Sequence, residues 1–271
     1  MKGHLKRAAA ILGIVVLLAA FCMPMVFALI DTGDGGAFRA SLAAAILVPV
    51  LGYVFWMVYR LLHHGERETD SKMKNIIFDV GRVLVDFDWE GYLSSFGFPQ
   101  EEYEAIAEKV FLSQEWNERD RGLYPEEKYV QNFMDALPMY AQDVKRVMEK
   151  SGQTIHRRDY AYTWTKYLKS QGYHLYILSN YCSCILEQTK PDMTFLENMD
   201  GAVFSCDVRQ IKPEKPIYET LLNRYGLVPE ESVFLDDKEE NCETARSLGI
   251  HAICFHDLRQ AAAELEKLGI K

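Results

Sequence analysis

The stretch NIIFDVGRVLVDFDW, from Asn75 to Trp89, sets the reading of the chain. It begins with a short apolar run, Ile76 to Phe78, that stops at Asp79 and passes through Val80 to Gly81. An unbroken apolar run this short fits a strand buried on both faces, and the glycine after it fits a tight loop. The same design recurs downstream as HLYILS at His174–Ser179, AVFS at Ala202–Ser205, SVFLD at Ser232–Asp236 and HAICF at His251–Phe255. Helical patterns at Pro216–Tyr225, Glu239–Leu248 and Leu258–Leu268 separate most of these runs. Buried strands alternating with helices predict an α/β fold, a parallel sheet covered on both faces. Ligands of such sheets bind in the crevice beyond the C-terminal strand ends. The chain puts Asp79, Ser179 and the pair Asp236–Asp237 at those ends, with Lys212 on the segment after the third strand.

Between the first two of these strands lies an insertion of about 90 residues. Pro99 and Pro125 each open an amphipathic stretch, Gln100–Phe111 and Glu126–Leu137, as prolines in a first helical turn do. Tyr140–Lys150 and Asp159–Gln171 add two more helical patterns, the last leading into the second strand. The insertion is expected to form a small helical cap over the sheet end, at about residues 90–165.

Upstream the character changes. Of 271 residues with 30 basic and 39 acidic side chains, the first 71 hold only six basic and five acidic ones, so the remainder is the acidic part. A net charge of -9 without a clustered Lys/Arg run excludes a nucleic-acid-binding surface. Six cysteines without a CxxC pair suggest neither a zinc site nor a disulfide framework. Ala8 to Ile30 is uncharged and follows Lys2, Lys6 and Arg7; a second uncharged run starts at Ser41 and leads to Arg60, His63, His64 and Arg67. Each is long enough to cross the ~30 Å hydrocarbon core. A cleaved signal peptide is the alternative for the first run, with Val26 and Ala28 as a weak cleavage site. Pro24 within the run, and a second span straight after it, favour a two-helix membrane hairpin over about residues 8–30 and 41–62. Residues 1–71 are then an anchor and residues 73–271 a soluble domain. Met73, followed at once by the first strand, is also where a free-standing cytoplasmic domain of this kind would begin.

The strand-end residues carry the chemistry. A carboxylate at Asp79 can act as a nucleophile, although a lone strand-end aspartate is ordinarily a turn residue. Asp236 and Asp237 brought beside it make a cluster that either takes up protons or gathers a hard cation such as Mg²⁺. Taken singly, they also suit a helix N-terminus. Lys212 can neutralise Asp79 and an incoming anion; Ser179–Asn180 offers a hydroxyl and a backbone N–H to phosphate oxygens.

In this order and strand context the residues resemble the four motifs of the haloacid dehalogenase (HAD) superfamily. The motifs stand as IIFDVGRVLVDFDW at Ile76–Trp89, LSN at Leu178–Asn180, IKPEKPIY at Ile211–Tyr218 and VFLDDKEEN at Val233–Asn241. The resemblance covers nearly all of residues 73–271 and is nearest to the branch of α-D-glucose-1-phosphate phosphatase and the phosphatase domain of soluble epoxide hydrolases. DRG at Asp120–Gly122 also resembles a cap stretch of that branch. The resemblance implies a Rossmann-like three-layer fold with Asp79 as nucleophile and Ser179, Asn180 and Lys212 binding phosphate. It implies Mg²⁺ held by Asp79, the Gly81 carbonyl and Asp237, with Asp236 supporting from behind. The implied activity is Mg²⁺-dependent hydrolysis of small phosphorylated metabolites, sugar phosphates foremost, through an aspartyl-phosphate.

Two positions depart from the pattern. Gly81 stands where most phosphatases of the superfamily carry a second aspartate as general acid and base. The glucose-1-phosphate phosphatase branch resembles this chain in having Gly there, so activity is not excluded. The proton donor is unassigned, with Asp86 and Asp88 on the adjoining loop as candidates. Arg82 stands where the branch commonly has Asn. Two other functions fit the same residues: a metal-free haloacid dehalogenase, and a membrane-anchored binding module with little catalysis. The basic flanks of both apolar runs place both termini and the α/β domain in the cytoplasm. Protease applied to sealed, correctly oriented vesicles should digest residues 73–271 from the cytoplasmic face alone, and digestion only from the opposite face would overturn that topology.

Overall fold

Ile76, Ile77 and Phe78 are wholly shielded from water because the strand that carries them is the middle strand of a sheet. The computed structural model describes residues 73–271. The two apolar runs expected to form a membrane hairpin lie outside the described residues, and among the described residues no helix is long and apolar enough to cross a membrane.

The first strand, β1 (Asn75–Phe78), is followed by β2 (Val85–Phe87) and five helices: α1 (Trp89–Ser94), α2 (Gln100–Ile106), α3 (Gln114–Arg121), α4 (Glu126–Ala136) and α5 (Ala141–Glu149). The chain returns through β3 (Ile155–Arg157) and α6 (Tyr160–Ser170) to β4 (His174–Ser179). Then come α7 (Ser183–Thr189), β5 (Gly201–Phe204), α8 (Ser205–Val208) and α9 (Lys215–Tyr225). The last elements are β6 (Ser232–Asp236), α10 (Glu239–Ser247), β7 (His251–Cys254) and α11 (Leu258–Lys267).

Five strands form one parallel sheet in the order β5-β4-β1-β6-β7. Successive strand residues point to opposite faces, and both faces are filled. Ile76, Phe78, Ile177 and Leu235 pack on one side with Trp164 and Leu168 of α6 and Leu265 of α11. Ile77, Leu178 and Phe234 pack on the other with Tyr218 and Leu221 of α9 and Ala245 of α10. This is the expected α/β arrangement, with strand and helix limits falling within a residue or two of the sequence reading. Helix α6 packs on the sheet, so it belongs with the layers that cover β1 and β4.

The sequence did not announce the antiparallel ribbon of β2 with β3. Each strand is three residues long, too short to show a period. The ribbon joins the two chain segments that lead into and out of the helical insertion. Pro99 and Pro125 sit just before their helices rather than inside them, with extended ψ of 152. The expected helix Gln100–Phe111 is α-helical only to Ile106 and continues as a π-turn over Ala107–Phe111.

All five strands of the sheet lie within the described residues, and Met73 is itself buried in the core. A protein beginning at Met73 should therefore unfold in a single cooperative transition, read by near- and far-UV circular dichroism. Aggregation, or a broad non-cooperative melt, would show that residues 1–72 are part of the folding unit.

Candidate active site

Asp79 follows β1 directly, and its N–H still donates to Leu235 O of β6 at 2.9 Å, so the ladder carries the residue to the C-terminal end of the sheet. Its Oδ1 accepts three hydrogen bonds: from the Val80 N–H at 2.8 Å, Ser179 Oγ at 2.7 Å and Lys212 Nζ at 2.8 Å. Among the described residues no donor holds Oδ2. Lys212 is sealed from solvent and also reaches Asp236 Oδ2 at 2.6 Å. Burial pulls its ammonium down, but Asp236 and Asp79 outweigh that pull, and the net shift is upward. The lysine is a fixed cation between two strand ends.

Asp236 is fully used. Its Oδ1 accepts from the Lys238 N–H and from Asn241 Nδ2, both at 2.8 Å, while Oδ2 holds Lys212. Asn180 is also occupied by structure: its Oδ1 accepts the Lys212 N–H at 2.8 Å and its Nδ2 donates to Lys212 O at 2.9 Å. The side-chain amide therefore clamps the backbone that presents the lysine. Ser179 spends its hydroxyl hydrogen on Asp79. Asp237 is only partly buried, and Arg82 Nη1 lies 3.8 Å from it at the mouth of the site. Arg82 adopts a left-handed φ of 58, a conformation that asparagine takes more readily than arginine.

Carboxylate oxygens of Asp79, Asp236 and Asp237 all lie within 4.8 Å of one another. Three carboxylates against one buried ammonium leave two formal negative charges, and hard oxygens in that excess fit a divalent cation such as Mg²⁺. The strain shows in the protons. Burial pushes Asp79 up from 3.8 to about 6, with Lys212 opposing and Asp236 adding to the push. Burial and Asp236 also raise Asp237.

Asp79 and Asp237 border a cavity of about 270 Å³ whose opposite wall comes from the insertion. The wall is aromatic. Trp89 stacks on Phe111 at 5.3 Å, and Trp116 lies 4.9 Å from Phe111 and 6.0 Å from Phe87. The π-turn brings Phe111 and Leu112 to this wall, in keeping with the frequency of such turns at sites. Behind it the buried Arg119 guanidinium sits 4.8 Å over the Trp116 ring and forks onto Glu126 with bonds of 2.5 and 3.0 Å. Asp120 and Lys238 line the same cavity.

The structure thus brings together Asp79, Gly81, Asn180, Lys212 and Asp237 around one cavity, with Ser179 and Asp236 bonded behind them. Asp86 and Asp88 do not join them. Asp86 is exposed and paired with Arg158 at 2.7 Å, and Asp88 caps α1 by accepting the Gly91 N–H at 2.8 Å. The aromatic wall, Lys238 and Asp120 escaped the sequence reading of the site. Only the DRG likeness pointed at the last of these.

A protein-family model described as haloacid dehalogenase-like hydrolase matches residues 76–255. The chain belongs to that family. Among relatives of this HAD-like hydrolase, mouse bifunctional epoxide hydrolase 2 is 42% identical over 72 residues, a match covering 27% of this chain and 13% of that protein. The chain therefore spans a small part of that relative's length. Two further relatives match over most of their length. The phosphorylated carbohydrates phosphatase of Thermotoga maritima is 26% identical over 214 residues, 72% of this chain and 91% of that one. Flavin mononucleotide hydrolase 1 of Arabidopsis thaliana is 24% identical over 203 residues, 73% of this chain and 79% of that one. A HAD family enzyme from Bacteroides thetaiotaomicron, solved with magnesium and inorganic phosphate, superposes with a TM-score of 0.58 at 22% identity. That likeness covers 70% of this chain and 98% of the other, and it shows the shared fold.

The raised carboxylates have a consequence for stability. Asp79 and Asp120, at about 6 and about 7 when folded against 3.8 ordinarily, hold more protons folded than unfolded across that window. Their contribution is full at low pH and is lost as pH rises. Asp200 and Glu214, whose values are lowered, are already ionised above about pH 5 and add no slope there. With a chelator present, the melting temperature should fall between about pH 5 and pH 7.5, and Mg²⁺ should restore more of it at the higher pH. A melting temperature that rises over that interval would contradict this charge balance.

Proposed function

We propose that this hydrolase is a Mg²⁺-dependent phosphomonoesterase for small phosphorylated metabolites, working through an aspartyl-phosphate on Asp79. One observation supports the reading: Asp79 Oδ1 is held by three donors while Oδ2 has none among the described residues, beside a carboxylate excess and at the wall of a cavity. A carboxylate fixed on one oxygen and free on the other is preorganised for in-line attack on phosphorus. Asp79, the Gly81 carbonyl and Asp237 would hold the cation, which when bound supplies positive charge to the phosphoryl oxygens. Ser179 and Lys212, the donors now on Oδ1, are placed to take phosphoryl oxygens as substrate arrives and to hold the charge that spreads over them. Asp236 and Asn180 keep the lysine where this happens.

The Thermotoga relative supports sugar phosphates, and the Arabidopsis relative supports a larger phosphate ester. The aromatic wall suits any leaving group with an apolar face, whether the C–H face of a sugar or a flat ring. The carboxylate excess weighs against a metal-free dehalogenase, which has no use for it.

Asp79→Asn removes the attacking charge at nearly constant volume, so turnover should fall by orders of magnitude while the melting curve keeps its cooperativity. Phosphate release from a panel of phosphorylated metabolites, before and after chelation, gives the measurement. Activity that survives both the substitution and the chelator would overturn the reading.

A further inference from the structure

Gly81 lacks the carboxyl that most phosphatases of the superfamily carry at that position, yet crowding does not explain the vacancy. A Cβ built at Gly81 would meet nothing within 4 Å. The acid that the leaving oxygen needs must therefore come from elsewhere on the cavity wall, and among the described residues one further carboxyl lines that wall beside those of Asp79 and Asp237. It is Asp120, at the end of α3 in the insertion.

Three consecutive residues fix Asp120 against the core. Its own carbonyl accepts the Ser205 hydroxyl, and Ser205 Oγ in turn accepts the Tyr181 N–H at 2.8 Å, one residue past Asn180. Arg121 forks onto Glu214 with two bonds of 2.8 Å, two residues past Lys212. Gly122 ends α3 at a φ of +69, and a Cβ there would come within 3.0 Å of Cys206 Cα. DRG is thus the point where the cap is bolted to the loops that carry Asn180 and Lys212. A cap residue so held is as well positioned as a core residue.

We infer that Asp120 is the general acid and base of this hydrolase, delivered to the cavity by the DRG bolt in place of the aspartate that Gly81 lacks. The inference rests on the phosphatase reading above. In the first step Asp79 Oδ2 bonds to phosphorus, the bond from phosphorus to the ester oxygen breaks, and the Asp120 carboxyl gives its proton to that oxygen. In the second step the Asp120 carboxylate takes a proton from water as the water oxygen bonds to phosphorus. The bond from Asp79 to phosphorus then breaks, releasing inorganic phosphate and both side chains in their starting states.

The surroundings give Asp120 a suitable proton affinity. Burial pushes its carboxyl up to about 7, helped by the charge on Asp79 and opposed by Arg119, Lys238 and the Cys182 N–H. A group that titrates near the working pH can both give and take the proton.

The test follows the first turnover of the full chain with Mg²⁺ on two esters. p-Nitrophenyl phosphate expels a phenolate that needs no proton, whereas 2-phenylethyl phosphate expels an alkoxide that does. Asp120→Asn should slow release of phenylethanol in that turnover by about 100-fold or more, while the nitrophenolate burst stays within a factor of about 3. Acid quenching should then find the protein loaded with aspartyl-phosphate, because the base for the second step is gone. In the unsubstituted protein, the phenylethyl rate should decline above about pH 7 while the nitrophenolate burst does not, a readout that needs no variant. Equal slowing of both esters by Asp120→Asn, or no effect on either, would overturn the inference. So would identical pH profiles for the two esters in the unsubstituted protein. Absence of phosphate release from either ester in the unsubstituted protein would count instead against the phosphatase reading.

Discussion

The ammonium of Lys212, sealed from water between Asp79 and Asp236, is the interaction on which the site depends. Burying a charge costs several kcal/mol, and a buried pair holds only when every partner is satisfied. Here each partner is. Lys212 meets both aspartates, Asp236 takes two further donors, and Asp79 takes two more on the same oxygen. Removing one member would leave an uncompensated charge at a cost of roughly 3–5 kcal/mol. The network therefore welds the ends of β1, β4 and β6 to the Lys212 segment that follows β5 and α8.

That weld explains the use of residues that would otherwise look catalytic. Asn180 has the donors to bind an anion, but its amide is spent on the Lys212 backbone. Asp236 has the charge to bind a cation, but its oxygens are filled by the lysine, Asn241 and the Lys238 N–H. Rigidity is made from these two, which leaves Asp79 Oδ2 and Asp237 as the oxygens still open to chemistry. The same economy appears on the cap, where Arg119 is invested in holding Trp116 and Glu126 rather than in facing substrate.

The sheet was legible in the sequence because its strands are buried on both faces. Ile76–Phe78 and Val233–Leu235 read as unbroken apolar runs, and an acidic residue ends each one. Asp79, Lys212 and Asp237 were legible for the same reason, since the order of strand ends is the order of the site. What was illegible lies where the chain returns from a distance. Asp86 and Asp88 are close to Asp79 in sequence, yet one pairs with Arg158 and the other caps a helix. Asp120 is far in sequence, and only the packing of α3 onto Ser205 and Glu214 brings it in. The ribbon of β2 and β3 is likewise a product of return, made by two three-residue strands without a pattern of their own.

On the proposed assignment of Asp79 as nucleophile and Asp120 as acid, carrying the acid on the cap changes what the fold must control. With an aspartate two residues after the nucleophile, the proton donor would be present whether or not the cap is seated. With Gly81 there instead, proton transfer requires the cap in place, with Arg121 on Glu214 and the Asp120 carbonyl on Ser205. The same seating puts Trp116 and Phe111 on the cavity wall, beside the leaving group. Attack, protonation and enclosure of the leaving group then share one geometric condition. An ester whose leaving group prevents the cap from seating would lose its acid as well as its binding wall, so the cap selects substrates through kcat as well as through affinity.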